Sequence, residues 1–221
     1  YDYKNLSLTI LYITSLFVLT FVGLQYTSAT NVAIILFLQI LFSYLFLGKK
    51  QGESLNRQHT LGAVLMTIGA LLVLFPGTWQ INIGDVLVLL AAMIAPIGNT
   101  DQKKALAQVS AETVLLVRSL IALPFLFLLA YLLEVPPSWE QIQQQWHWLL
   151  LTGFLVFFVS KILWIEAIYL LPITKVNALY AFAPLMTMGL AYIVLQEVPS
   201  WSQVMGILPI LLGGYFITRH R

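Results

Sequence analysis

The stretch Ala167–Gly213, AIYLLPITKVNALYAFAPLMTMGLAYIVLQEVPSWSQVMGILPILLG, decides the fold. An apolar run ends at a proline turn, Leu171–Pro172. A second run carries Pro184 in its interior. A polar turn holds Glu197, and a third run is punctuated by Gly206 and Gly213. A weaker copy lies in the first third of the chain. With Thr27 set on Pro172, Ala33 falls on Ala178, Phe37 on Phe182, Gln39 on Pro184 and Leu45 on Leu190. One residue is then dropped from the loop. Glu53 falls on Glu197, Gly62 on Gly206 and Gly69 on Gly213. Few residues are identical, but the hairpin, the turn acid and the two glycines keep their order. Internal repetition of this kind dictates architecture before any single residue does.

Of 221 residues, 60% are hydrophobic and 9% are charged. A soluble domain carries roughly 25% charged residues, so this chain has too little polar surface to face water all round. Lipid is the alternative solvent. A net charge of +2 gives no footing for nucleic acid as a partner. The absence of cysteine excludes disulfides and thiolate metal sites. The first apolar run is too long for a cleaved leader and lacks an A-x-A site.

Eight apolar segments can each be read as a membrane helix, which needs about 17–25 residues. They are Leu6–Leu24, Ala29–Leu47, Thr60–Phe75, Gly84–Asn99, Thr113–Leu133, Trp148–Tyr169, Ile173–Leu195 and Gln203–Thr218. The expected fold is therefore an all-α membrane protein. The polar run Glu134–Trp146 is expected as a loop, with an interfacial helix after Pro136 and Pro137.

Charge sets the expected orientation. If the loop with Lys49, Lys50 and Arg57 is cytoplasmic, threading places Lys4, Lys103, Lys104, Lys175, Arg219 and Arg221 on that side too. The opposite side then carries only Asp85, Glu134, Glu140 and Glu197. This one-sidedness follows the positive-inside rule. The C-terminus is expected in the cytoplasm. The first and sixth segments, which correspond in the repeat, then run in opposite directions. The repeats are inverted, as in many secondary transporters. Residues 1–80 read as the last three helices of a first repeat and 81–221 as a complete five-helix second repeat. A five-plus-five, ten-helix protein is expected, its first two helices preceding Tyr1.

With these features in place, the sequence resembles the drug/metabolite transporter superfamily, specifically its EamA-type members with two tandem repeats. The matching residues are the AIYLLPITKVNAL run, Pro184, Glu197 and Gly206 to Gly213. In the first repeat they are QYTSATNVAI, Glu53 and Gly62 to Gly69. Arg118 is similar to an arginine often found early in the corresponding family helix. Gln39 stands where the first repeat often has proline. The resemblance implies ten helices, a central cavity between the halves and movement of small metabolites, most commonly by export across the bacterial inner membrane.

Several polar residues within the apolar segments are candidates for substrate. Lys161 lies inside the sixth segment, where a charge costs at least roughly 2.5–3.5 kcal/mol. Its repeat counterpart is Leu16, so the scaffold does not demand a cation there. Lys161 is read as the partner of a carboxylate or phosphate on the substrate, against the alternative of a lysine snorkelling to the interface. Trp164, three residues on, shares nearly the same helical face. Asn177 and Tyr180 lie at a similar depth in the seventh segment, and Asn31 and Gln39 are the first-repeat candidates. Arg118 is close enough to a helix end to be read as snorkelling. Pro184 is expected to kink its helix.

His59, His147 and His220 fall at helix ends or in loops, and no H-E-x-x-H, G-x-S-x-G or phosphate-loop motif is present. No catalytic, metal or cofactor site is expected. The reading is a secondary transporter of a small polar or amphipathic metabolite, working as an exporter by alternating access in the inner or plasma membrane. Its expected partners are that metabolite, the lipid bilayer and, as an oligomeric form, a second copy of itself. The rival reading is an assembly or regulatory membrane subunit that retains the fold without transporting.

Overall fold

A computed structural model describes residues 3–47, 57–74, 82–132, 138–171, 180 and 182–218. Every regular element among them is helical. In order they are α1 (Tyr3–Leu24), α2 (Ala29–Phe37), α3 (Gln39–Leu47), α4 (Arg57–Leu74), α5 (Ile83–Leu106), α6 (Ala111–Leu132), α7 (Trp139–Leu151), α8 (Ser160–Leu170), α9 (Phe182–Leu190) and α10 (Trp201–Thr218). A π-helical segment, Thr152–Val159, joins α7 to α8, and a second, Ala191–Leu195, extends α9. Among the described residues, 7 helices are long and apolar enough to cross a membrane, and Ala183–Leu195 is a shorter apolar helix. The chain is an all-α membrane protein. Lipid offers no hydrogen bonds, so each spanning segment must satisfy its own backbone, and the α-helix does this within one segment.

Three boundaries differ from expectation for local reasons. The second apolar segment is not one smooth helix. Leu38 adopts a tight turn in which its N–H meets the Ile35 carbonyl at 3.0 Å, and α3 begins at Gln39. The fourth segment continues past Asn99 to Leu106, because DQKKAL keeps good helix formers in phase beyond the apolar run. Glu134–Trp146 is not wholly a loop. Ser138 accepts a bond from the Gln141 N–H, and the Gln141 side chain returns a bond to the Ser138 N–H. This capping box starts α7 at Trp139, and the helix runs on unbroken into the sixth span, Trp139–Leu170. The stretch before Pro184, and with it most of the expected kink, lies outside the described residues.

The chain packs as two compact units. One comprises Tyr1–Thr14 and Thr100–Pro172; the other comprises Ser15–Asn99 and Ile173–Arg221. Each therefore draws on both sequence halves.

The second unit is organised by α4 against α10. Gly62 lies against Gly213, and Gly69 against Gly206, so the two helices run antiparallel. Exchanging Gly62 with Gly206 and Gly69 with Gly213, as the repeat does, maps this contact onto itself. The contact thus has a local two-fold relation. A Cβ on Gly69 would stand 2.6 Å from Ile210 Cγ1, and one on Gly62 would stand 2.6 Å from the Gly213 carbonyl oxygen. Only hydrogen fits at such distances. Around this pair sits a core of Ile34, Ile35, Phe37, Leu38, Ile40, Met66, Val73, Ile207 and Ile210. The α2–α9 contact completes it. A further close approach sets Gly23 of α1 on Gly84 of α5, where a Cβ on Gly84 would lie 2.6 Å from the Gly23 carbonyl.

In the first unit α6 packs on α8. The buried stripe of α6 is Val114, Leu115 and Arg118, and that of α8 is Ile165 and Ile168. The π-helical segment between α7 and α8 is wider than an α-helix, so it rotates the stripe of α8 relative to α7.

Gly69→Ala is expected to destabilise the protein by about 1–3 kcal/mol, the usual range for overpacking. Gly189→Ala, where a Cβ meets nothing within 4 Å, is expected to be neutral or stabilising. Thermal unfolding of both variants in one mild detergent checks the contrast.

Candidate functional site

Two polar groupings stand out, one in each unit. In the first unit Lys161 is half-buried on α8. Lys161, Trp164, Ile165 and Ile168 occur at i, i+3, i+4 and i+7, which is one helical stripe. Since Ile165 is 1% exposed and Ile168 0%, that stripe faces protein. Lys161 and Trp164 are therefore brought together as expected from their spacing. Arg118 departs from expectation. It is 7% exposed on the packed face of α6, rather than reaching out to the interface. Its charge and that of Lys161 are close enough to repel one another. The same unit buries the Gln102 Nε2 and Thr14 Oγ1 atoms without a hydrogen-bond partner among the described residues. Buried polar groups of this kind ordinarily find a partner in protein, water or a bound molecule.

In the second unit the polar residues gather where the α1–α2 turn meets the start of α5 and the start of α10. Ser28 caps α2 by accepting from the Asn31 N–H at 3.1 Å. The Asn31 side chain donates to Thr27 Oγ1 at 3.2 Å and to the two Asp85 oxygens at 3.2 and 3.3 Å. Thr27 donates its hydroxyl to Asp85 Oδ1 at 2.5 Å. Gln203 donates to Asn31 Oδ1 at 2.6 Å and to Ser28 Oγ at 3.3 Å. Asn31 is thus the hub of a network, with both ends of its amide engaged.

Glu197 belongs to the same end of the unit. The helix before it stops at Gln196, whose φ of 56° is left-handed, and the chain turns back. The Glu197 carboxylate then accepts from the Ala29 N–H at 3.4 Å and from the Thr30 hydroxyl at 3.5 Å. It caps α2, where free amide hydrogens and the helix dipole favour an anion. The turn acid of one repeat thereby serves a helix of the other.

The remaining candidates are dispersed. Gln39 is buried immediately after the Leu38 turn. Tyr180 stacks on Phe37 of α2, with ring centroids 6.1 Å apart. Asn177 lies outside the described residues. The sequence reading missed Asp85 and Gln203. Both look like ordinary helix-start residues, and only the fold brings them to Asn31. Among the described residues no group of three or more histidine, cysteine or acidic side chains could hold a metal ion.

The decisive comparison is with protein families. The model of the EamA-like transporter family matches residues 4–75 and 82–219. This chain belongs to the EamA-like transporter family. An uncharacterized transporter of Synechocystis sp. is 23% identical over 206 residues, covering 88% of this chain and 59% of that protein. The chain thus spans 59% of the length of the curated relative it matches. A crystal structure superposes with a TM-score of 0.70, covering 98% of this chain and 76% of that one at 18% identity. At such identity the likeness speaks for the fold alone. In a membrane-spanning helix a polar side chain costs free energy unless it is partnered.

The network makes a test of its own. Asn31→Ala and Gln203→Ala are expected to couple in a double-mutant cycle by roughly 0.6–1.7 kcal/mol, the span for hydrogen bonds within membrane proteins. Unfolding in mild detergent measures it. Independent, additive effects would contradict the 2.6 Å bond.

Proposed function

We propose that this EamA-like protein is a secondary transporter that exports a small polar or amphipathic metabolite across the inner or plasma membrane by alternating access. The observation that carries the substrate side is the inward stripe of α8. It presents Lys161 and Trp164 beside a second buried cation, Arg118. Positive charge on two packed spanning helices is costly in lipid and suits an anionic ligand. In this reading Lys161 attracts the carboxylate or phosphate of the substrate, with Arg118 adding a planar fork of donors. Trp164 packs against its apolar part. Tyr180, Asn177, Gln39 and Asn31 supply further contacts in the course of the cycle. Asn31, already held by Asp85 and Gln203, would exchange those bonds for substrate only if that network opens.

The five-plus-five architecture belongs to the same proposal. Residues 1–80 would complete a first repeat and 81–221 form the second, and the antiparallel α4–α10 contact is what such a relation leads one to expect. The proposed orientation puts both termini in the cytoplasm and the α6–α7 connection outside. Cysteines at Ser138 and Gln108 test it. Impermeant maleimide applied to intact cells is expected to label Ser138→Cys and spare Gln108→Cys; the reverse pattern would invert the topology.

For the site, Lys161→Met keeps an apolar stem of similar length and removes the charge. Flux of anionic or zwitterionic substrates per inserted molecule, scored with a panel of labelled amino acids and dicarboxylates in proteoliposomes, is expected to fall about tenfold or more, the worth of one charge-assisted contact. Lys161→Arg is expected to restore part of it. Unchanged flux at equal membrane abundance would remove Lys161 from the site. No panel flux by any inserted form would favour the non-transporting subunit instead.

A further inference from the structure

Asp85 is 4% exposed, yet among the described residues its hydrogen-bond partners are neutral: the Thr27 hydroxyl and the Asn31 amide. A buried carboxylate usually rests beside a cation or on several donors, because desolvating the charge is costly. Here the donors come from a separate element, the turn between α1 and α2, and their orientation is fixed from a third, α10. The Ser200 N–H donates to Gln203 Oε1 at 2.8 Å, which leaves the Gln203 amide nitrogen to face Asn31 Oδ1. Asn31 must then turn its own nitrogen toward Asp85. The direction of the whole chain, Ser200 to Gln203 to Asn31 to Asp85, follows from one backbone group. It suits an ionised carboxylate, which only accepts.

We propose that Asp85 is a proton-binding site whose occupancy controls the link between the α1–α2 turn, α5 and α10. A proton from the adjoining water adds to a carboxylate oxygen, and no other bond forms or breaks. The neutral acid then presents an O–H toward groups arranged as donors. With the proton on Oδ2, Oδ1 still accepts from Thr27 and Asn31, but as a neutral carbonyl, so both bonds lose their charge assistance. Asn31 cannot offer its oxygen without abandoning Gln203. Protonation therefore costs the unit its charge-assisted contacts at this end, and the turn is held to α5 less firmly, by the Gly23–Gly84 approach and the Asn82 bond to the Tyr26 carbonyl.

The other ionisable groups at this end are few. Glu197 faces the start of α2 through Ala29 and Thr30, and Tyr26 in the turn is exposed. Among aspartate, glutamate, lysine, arginine and histidine, α2 and α10 carry none, Tyr215 being the one ionisable side chain of α10, and residues 75–81, FPGTWQI, add none. No lysine, arginine or histidine among the described residues bonds to Asp85. The inference stands independently of what is transported. Combined with the transport reading, it makes Asp85 the residue that couples proton movement to opening of one end of the carrier.

Hydrogen–deuterium exchange of the full chain in lipid nanodiscs tests the idea without a substrate. Between about pH 7.5 and about pH 3, which brackets the value of a free aspartate, peptides covering 26–33 and 82–88 are expected to exchange about tenfold faster at the acid end. This is after correction for the intrinsic pH dependence of exchange. Asp85→Asn is expected to abolish the pH response, and Glu197→Gln to keep it. Gln203→Met, which lets the Asn31 amide turn its oxygen to the neutral acid, is expected to shrink it. Peptides from α4 should stay unchanged throughout and report that the fold is intact. A response that persists in Asp85→Asn, disappears in Glu197→Gln, or is absent from the native protein would overturn the proposal. If Asp85→Asn fails to insert, an undiminished response in Gln203→Met overturns it as well.

Discussion

The second unit depends on the backbone contact of α4 with α10. In lipid, apolar side chains gain little by leaving one hydrocarbon surface for another, so helices associate through close packing and hydrogen bonds. Gly62, Gly69, Gly206 and Gly213 let the two backbones meet with no Cβ between them. Met66 and Ile210, both fully buried, then close over the contact from either side. With that spacing set, α2 can pack on α9, and the α1–α2 turn falls beside the start of α10. The Asn31–Gln203 bond exists because the glycines brought the elements to that separation.

The two units hold their charges differently, and the first carries both signs, with the buried Asp101 paired to Lys104 at 3.1 Å. Described polar contacts in the second unit centre on two carboxylates, Asp85 and Glu197, held by hydroxyls, amides and the free N–H groups at a helix start. Such donors can stabilise an anion without a counter-charge, at the usual strength of charge-assisted bonds. The first unit instead carries Arg118 and Lys161 on facing helices. A helix start solvates an anion through its free N–H groups. The substrate proposal rests on the cations because a charge within a spanning helix is by default a functional one.

Several details were legible because they are local. The spans follow from runs of apolar residues, and the repeat from the order of the turn acid and the glycines. Lys161 and Trp164 share a stripe because helical spacing alone puts them there. Other details were hidden because they are relations between distant segments. Arg118 is near enough to a helix end to reach water, and only the packing of α6 on α8 buries it. A helix was expected after Pro136 and Pro137, and the capping box at Ser138 and Gln141 starts it, but its continuation into the sixth span was missed.

By itself, the sequence determined that the chain lives in a membrane, that it is all-helical and which segments are apolar enough to cross. These follow from composition and period, which every residue contributes to and no single contact decides. Only the tertiary structure decided which polar residues meet. Asn31 and Gln203 are 172 positions apart, and Thr27 and Asp85 are 58 apart. A hydrogen bond requires a separation near 3 Å and a fixed direction, and no pattern along the chain encodes either. Both come from the approach of helices, which glycines permit at the α4–α10 contact and, through Gly23 and Gly84, beside Asp85.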